Sequence, residues 1–233
     1  MYFRSLLFYL LYVSSALLVG IMICLFSLFL NTKQRLKLAS WWPRFTTSCL
    51  KKICNIEVEV KGETNIPKGP FVLVSNHQSS WEAFFFQYYF FPVTTLLKRE
   101  LLFIPIWGWA LGLLGPIHIN RKKPKKALRK FMKEGHNRLK NGFIVLNFAE
   151  GTRKSPGEIG NYARSPFELS KQSGFLLLPV VHNAGSHWEA HRFVKKPGKI
   201  SLVVGEAVKI TDSLSQAKEV EDWSRKTLNE MTG

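Results

Sequence analysis

The segment that most constrains the architecture reads Phe71-Val72-Leu73-Val74-Ser75-Asn76-His77-Gln78-Ser79-Ser80-Trp81-Glu82. Its first four residues are apolar and follow Gly69-Pro70, which is typical of a short buried strand that begins after a turn. The polar residues that come next, Asn76 and Ser79 among them, are suited to a turn and the start of a helix. The segment therefore predicts a strand, a polar turn and a helix in succession.

The same alternation of strands and helices continues along the chain in both directions. A period of two predicts an edge strand over residues 56–60, and amphipathic patterns predict helices over residues 124–140 and 214–230. Short apolar runs predict further strands over residues 93–97, 117–119, 143–148, 175–181 and 200–204. This order favours the α/β fold class, with a largely parallel sheet flanked by helices.

An apolar segment near the N-terminus predicts a membrane-anchor helix. No residue in 5–30 is charged, and as a helix this segment is about 39 Å long, against about 30 Å for the hydrocarbon core of a bilayer. A secretory signal peptide is the alternative, but residues 27–30 form a poor cleavage site. We expect the helix to span with tilt, or to bend at Gly20 and re-enter. The excess of Lys and Arg after residue 30 predicts that the rest of the chain is cytoplasmic.

The overall charge of the chain indicates anionic partners. Lys plus Arg number 33 and Asp plus Glu number 16 among 233 residues, which gives a formal charge of +17. We expect an anionic membrane surface or a phosphorylated substrate and no nucleic acid, because an anchor is present and no nucleic-acid-binding fold is recognisable. The three cysteines are too few for a disulfide framework, and His187 and His191 lack the zinc-protease pattern, so no metal is expected.

Polar residues follow three of the predicted strands. The strand at 71–74 is followed by residues 75–82, the strand at 117–119 by Asn120-Arg121, and the strand at 143–148 by Ala149-Glu150-Gly151-Thr152-Arg153. Ligand sites of such sheets lie beyond the carboxyl ends of the strands, so these residues are the candidates for a functional site. Gly151 lets the backbone approach a ligand closely, and Arg153 can bind a phosphate through two hydrogen bonds. An ordinary turn with a solvated arginine is the alternative.

His77 and Glu82 are candidates for a general base and its partner. Residues five apart on a helix lie about 140° apart, so the pair works only if His77 precedes the helix and Glu82 lies in its first turns. The carboxylate would then orient the imidazole. A surface histidine and a glutamate that stabilises a helix N-terminus are the alternative. The sequence has no Gly-x-Ser-x-Gly elbow and no cysteine near this pair, so the nucleophile would be a substrate hydroxyl.

Taken together, these clusters resemble the glycerolipid acyltransferase family, specifically its 1-acyl-glycerol-3-phosphate (lysophosphatidic acid) acyltransferases. Four blocks occur in the order of the family: Asn76-His77-x4-Glu82, residues 98–121, Phe148-Ala149-Glu150-Gly151-Thr152-Arg153, and Leu178-Pro179-Val180. The chain departs from the pattern at Glu82, where Asp is usual, at Asn120, where an acid is usual, and at Ala149, where Pro is usual. The histidine and the motif arginines are all present.

The resemblance implies a membrane-bound O-acyltransferase. Its reaction would move a fatty acyl group from acyl-CoA or acyl-acyl carrier protein to the sn-2 hydroxyl of lysophosphatidic acid, giving phosphatidic acid. His77 and Glu82 would be the catalytic residues. Substrate binding would fall to six residues: Asn76, Arg121, Glu150, Gly151, Thr152 and Arg153. No cofactor is implied beyond the acyl thioester co-substrate, and anionic membrane lipids and acyl carrier protein are the expected further partners.

The domain organisation follows from the anchor and the motif blocks. Residues 1–35 would be the membrane anchor, and residues 36–233 the acyltransferase domain on the cytoplasmic face. Two alternatives remain open. The acceptor would be another lysophospholipid or a lyso-ornithine lipid, or the chain would be a non-catalytic tethered protein that binds anionic lipid through the basic residues of 121–130. The aromatic segment at 84–91 is expected to be core, with an acyl-chain channel as the alternative.

Overall fold

A computed structural model of the chain describes residues 1–120 and 122–232. The strands in this part of the chain are β1 (Ile56–Lys61), β2 (Val72–Ser75), β3 (Val93–Lys98), β4 (Ile117–Ile119), β5 (Ile144–Phe148), β6 (Leu177–His182) and β7 (Gly198–Val204). The helices are α1 (Tyr2–Phe26), α2 (Thr32–Ala39), α3 (Trp41–Cys54), α4 (Trp81–Tyr89), α5 (Trp107–Leu113), α6 (Pro124–Lys140), α7 (Ser165–Ser173), α8 (Ala184–His187) and α9 (Ser215–Thr232). Short 3-10 turns lie at Glu63–Asn65 and Arg99–Phe103.

The strands form one sheet in the order β1-β7-β6-β2-β5-β3-β4. Every neighbouring pair is parallel except β6 and β7, which are antiparallel. The predicted α/β class with a largely parallel sheet is confirmed, and β1 lies at an edge as its alternating pattern predicted. The carboxyl ends of β6, β2, β5, β3 and β4 consequently lie along one edge of the sheet.

Helices cover both faces of the sheet, which explains why β2 is apolar on both sides. Leu73 faces a core cluster that contains Phe8 of α1, Leu50 of α3 and Phe85 of α4. Val72 and Val74 face a second cluster, to which α6, α7 and α9 contribute. Most of the aromatic segment at 84–91 lies buried or half-buried in the first cluster, as expected for core.

The N-terminal helix α1 runs without a break through Gly20. It is the one helix within residues 1–120 and 122–232 that is long and apolar enough to cross a membrane, with a mean hydropathy of 2.3 over its most apolar window. One side of α1 packs on α3 and α5, and at Gly20 an added Cβ would lie 3.3 Å from Ile106 Cγ2. Gly20 therefore serves close packing, and of the two alternatives the break at Gly20 is not observed, because α1 continues through it. The division of the chain at residues 35 and 36 stays a prediction.

A buried lysine joins α1 to the loop that follows α8. The Lys195 backbone N–H donates to Ser5 Oγ at 2.9 Å. Its ammonium group donates to Tyr9 Oη at 2.8 Å and to the carbonyls of Arg192 and Phe193, and it lies 5.0 Å from the centre of the Trp188 ring. Helix α1 thus supplies one of the three acceptors of the ammonium group, and the two carbonyls of the loop supply the others.

Candidate active site

The turn between β2 and α4 brings His77 and Glu82 together. His77 lies ahead of α4, and Glu82 lies in the first turn of that helix, which is the arrangement that the spacing requires. The two side chains meet with His77 Nδ1 at 2.7 Å from Glu82 Oε1. The pair therefore has the geometry of an imidazole oriented by a carboxylate.

Glu82 is fully buried and its charge is compensated by nearby donors. Oε1 also accepts hydrogen bonds from the backbone N–H groups of Gln78 at 2.9 Å and Ser79 at 2.8 Å. Burial alone would raise the pKa of this carboxyl, but His182, the bond to His77 and the bond to the Ser79 N–H together hold the pKa below its ordinary value. Glu82 is consequently an anion that accepts a hydrogen bond from the His77 ring.

The state of the His77 ring follows from its partner. Because an ionised carboxylate can only accept hydrogen bonds, the proton of the neutral ring is assigned to Nδ1, and Nε2 carries a free lone pair. The ring stacks on Phe148 with centroids 4.1 Å apart and planes inclined by 11°, and 16% of its side chain is exposed. Nε2 is thus free to accept a proton from a bound hydroxyl.

The loop after β5 is fastened to the His77 turn. Glu150 Oε1 accepts from the His77 N–H at 3.0 Å, and its Oε2 accepts from the Gly160 N–H at 2.8 Å. The His77 carbonyl accepts from the Lys154 N–H at 2.8 Å. Burial raises the pKa of Glu150, although both N–H bonds and the charge of Lys154 oppose that shift. In the structure Glu150 joins two loops, and its predicted contact with substrate stays a prediction.

Arg153 lies beside the His77 turn, and its two terminal Nη groups have no hydrogen-bond partner among residues 1–120 and 122–232. Nε donates to the Ser79 carbonyl at 3.0 Å, and the residue is exposed. Thr152 is exposed as well, and Gly151 has a φ of +70°, which favours glycine. A phosphate bound at this exposed turn would contact Arg153. It would then lie next to the turn that contains His77.

The remaining predicted site residues have different surroundings. Asn76 is buried, its Nδ2 donates to the His182 carbonyl at 2.9 Å, and its Oδ1 accepts from the His182 N–H at 3.1 Å. These bonds tie the end of β2 to the end of β6 and commit both polar atoms of the amide. Arg121 lies outside the described residues. Its neighbour Asn120 accepts from the Lys122 N–H at 2.9 Å.

Two neighbours of the dyad are not identified by the sequence patterns. In the sequence Phe148 is only the first residue of a motif block, yet in the structure its ring stacks on His77. His182 belongs to none of the motif blocks, although it ends a parallel strand and carries a polar side chain, a signal that the sequence does contain. No group of three metal-ligating side chains occurs in the residues that the structure describes, and His187 Nδ1 lies 3.2 Å from the Lys196 carbonyl.

Comparisons with known proteins show the family of this chain. A statistical model of the family described as Acyltransferase matches residues 57–183. The 1-acyl-sn-glycerol-3-phosphate acyltransferase of Pseudomonas aeruginosa is 38% identical over 98% of this chain and 91% of that protein. The Saccharomyces cerevisiae enzyme of the same name is 31% identical over 62% of this chain, which corresponds to 49% of the yeast protein.

A solved structure shares the fold. The crystal structure of the 1-acyl-sn-glycerophosphate (LPA) acyltransferase from Thermotoga maritima aligns with a TM-score of 0.81 over 99% of this chain and 95% of that one, at 24% identity. The family resemblance predicted from the four motif blocks is confirmed by the matched family model and by the Pseudomonas relative. The chain therefore belongs to the acyltransferase family, and it is an acyltransferase enzyme.

Proposed function

We propose that the chain transfers a fatty acyl group from an acyl thioester to the sn-2 hydroxyl of 1-acyl-sn-glycerol-3-phosphate, and so takes part in phospholipid biosynthesis. The contact of 2.7 Å between His77 Nδ1 and Glu82 Oε1 carries the proposal, because it leaves His77 Nε2 as a free base. The names of the relatives from Pseudomonas and yeast support the choice of acceptor. Family membership sets aside the alternative of a non-catalytic lipid-binding protein.

The proton has a defined path in this mechanism. The acceptor hydroxyl gives its proton to His77 Nε2 as its oxygen attacks the thioester carbonyl, and Glu82 stabilises the imidazolium that forms. When the tetrahedral intermediate collapses, the carbon–sulfur bond breaks and the thiol leaves, with the proton returning from His77. A thiolate is a good leaving group, so the reaction needs no second acid. No metal or cofactor is part of this scheme.

The acceptor phosphate is proposed to lie on the exposed turn after β5. Arg153 supports this position, since Nε is fixed on the Ser79 carbonyl at 3.0 Å while the residue faces solvent. A guanidinium held in this way binds a phosphate with defined geometry. Arg121 is proposed as a second phosphate ligand from its motif. Glu150 and Asn76 are proposed to position the two loops through their backbone bonds.

The enzyme is proposed to work at a membrane surface, on its cytoplasmic side. The outer face of α1 exposes large apolar side chains, among them Leu10, Leu17 and Leu25. Exposed lysines on α6, such as Lys125 and Lys126, suit anionic headgroups, to which each basic residue contributes about 1 kcal/mol. A lipid acceptor would then reach the site from the bilayer.

Lipid product analysis tests the proposal. Purified full-length protein is given 1-acyl-sn-glycerol-3-phosphate, 1-acylglycerol, a lysophosphatidylethanolamine and a lyso-ornithine lipid in competition, with acyl-CoA or acyl-acyl carrier protein as donor. We expect phosphatidic acid as the main product, with the new chain released by an sn-2-specific phospholipase. Preferential acylation of an acceptor without the terminal phosphate would contradict the proposal.

A further inference from the structure

The two oxygens of the Glu82 carboxylate have different surroundings. Oε1 lies within hydrogen-bond distance of His77 Nδ1 and two backbone N–H groups. Oε2 is buried, and no donor lies within hydrogen-bond distance of it in the described part of the chain. A second histidine, His182, places its Nε2 at 3.9 Å from this oxygen. When one oxygen of a buried carboxylate has no hydrogen bond, the stability of its negative charge depends strongly on nearby dipoles such as that of His182.

His182 is held in one orientation by its own partners. Its Nδ1 accepts from the Ala184 N–H at 3.2 Å, so the ring proton is assigned to Nε2. Its Nε2–H donates to the Asn76 carbonyl at 3.2 Å, and Nε2 lies 3.9 Å from Glu82 Oε2, so the contact with the carboxylate is electrostatic and not a hydrogen bond. The ring is fully buried against Trp81 and Phe86. Burial lowers the pKa of His182, although the charge of Glu82 and the hydrogen bond to the Asn76 carbonyl oppose that shift.

We propose that His182 is a positioning residue for the transfer reaction, and this rests on the proposed function. Its Nε2–H dipole stabilises the second oxygen of Glu82, which keeps the first oxygen directed at His77. Without that dipole the carboxylate is free to rotate and exchange its oxygens, and the His77 ring loses its fixed orientation. His182 touches neither substrate nor the reacting atoms in this scheme, and it acts through Glu82.

The length of the Glu82 side chain belongs to the same arrangement. Aspartate, which is usual at this position in the family, is shorter by one methylene. An aspartate on the first turn of α4 would draw the second oxygen away from β6, where His182 lies. We therefore infer that positions 82 and 182 are coupled in this chain, and that the coupling requires the glutamate.

Two substitutions separate positioning from a general structural role. His182→Asn keeps an acceptor for the Ala184 N–H, because the asparagine oxygen replaces Nδ1, but it has no donor that reaches Glu82. His182→Gln keeps a donor near the place of Nε2. We expect His182→Asn to lower kcat about tenfold or more with both KM values within about twofold, and His182→Gln to recover most of the loss. Thermal unfolding of both variants is measured alongside.

A double-substitution cycle tests the coupling to Glu82. In a Glu82→Asp background, His182→Asn is expected to change kcat by no more than about twofold, because the shorter carboxylate no longer faces residue 182. The inference is overturned if His182→Asn leaves kcat unchanged in the wild-type background. Equal losses in the Asn and Gln variants, or an undiminished effect of His182→Asn in the Glu82→Asp background, would overturn it as well.

The series also separates this inference from the proposed function. The wild-type enzyme first identifies the acceptor that it acylates fastest, and all variants are compared on that acceptor. Failure of 1-acyl-sn-glycerol-3-phosphate as acceptor would overturn the proposed substrate, while the effect of His182 on kcat would still be measured.

Discussion

The His77–Glu82 pair depends on where one helix begins. Because α4 starts at Trp81, the Glu82 side chain points back toward the turn, and its length closes the distance to His77 Nδ1. Two backbone N–H groups of the same turn bind the same oxygen. A short polar turn thereby produces a buried anion and an imidazole with a free Nε2, with no residue contributed from outside this segment to the contact itself.

Arg153→Ala is expected to raise the KM for 1-acyl-sn-glycerol-3-phosphate about tenfold or more, with a small effect on kcat. The reason is the loss of a charged, doubly donating ligand for the phosphate. Arg153→Lys keeps the charge and is expected to be intermediate. Steady-state kinetics with 1-acylglycerol serves as the control, since an acceptor without phosphate should not respond. An unchanged KM for the phosphorylated acceptor would remove Arg153 from phosphate binding.

The sequence predicts a contact between two site residues when both lie in one short segment, as His77 and Glu82 do. The position of Glu82 in the first turn of a helix follows from the spacing to His77 and the helix period. The contact between Glu82 and His182 could not be derived in this way, because it depends on β2 and β6 being neighbours. The two residues are far apart in the sequence, and the order of strands is not encoded in any local pattern.

Helix α1 is attached to the rest of the chain by contacts that respond to pH. Burial lowers the pKa of Lys195 to about 8 from an ordinary value of 10.5. The unfolded chain therefore holds this proton more tightly than the folded protein does, and between about pH 8 and pH 10.5 it binds more protons at this group. The contribution of Lys195 to the free energy of unfolding should rise with pH across that interval.

The variant Lys195→Met tests this contribution, since methionine has a similar apolar stem and does not titrate. Denaturant unfolding of both proteins is measured at several pH values from about 7 to about 10, which bracket the lowered pKa. We expect the free energy of unfolding of the wild type to increase relative to the variant as pH rises above about 8. A difference between the two proteins that does not change with pH would contradict the burial of a charged Lys195.

The outer face of α1 is expected to hold the enzyme on lipid. Leu10→Lys with Leu17→Lys places two charges on this apolar face, and we expect partitioning to fall at least about tenfold. The fraction of protein bound to lipid is measured by sedimentation with phosphatidylethanolamine–phosphatidylglycerol vesicles. The control, Gln172→Lys with Thr211→Lys, adds the same charge to exposed positions outside α1. Equal binding by both double variants would show that the outer face of α1 does not contact lipid.

A helix could be predicted from the sequence where its apolar periodicity and the residues that mark its ends agree. The helix at 124–140 has the predicted bounds, with proline at its start and lysines covering its outer side. Helices α3, α5 and α7 are not predicted by the sequence patterns. In α5 the residues are apolar or glycine on every side, so no polar face marks a helix. Helix α3 does have a polar face, formed by Arg44, Ser48, Lys51 and Lys52, which is a signal that the sequence contains. Helix α7 does have Pro166 near its start, which is a signal for the beginning of a helix.

At the scale of the whole molecule, the sheet order assembles the site. Placing β6, β2 and β5 side by side brings together residues 77, 150 and 182, which are far apart in sequence. The clusters after β2 and β5 were expected at one edge because parallel strands end there. The antiparallel pairing of β7 with β6 was not predicted, since a single apolar run does not reveal the direction of its strand.

The central claim is that His77 removes the proton from the acceptor hydroxyl. The most direct measurement is the rate of acyl transfer by His77→Ala relative to wild type, with thermal unfolding and vesicle binding confirming that the variant is folded. A positioned general base contributes about 10² to 10⁴ in rate, so we predict a loss of at least about a hundredfold with vesicle binding retained. Transfer at the wild-type rate by the folded variant would contradict the account.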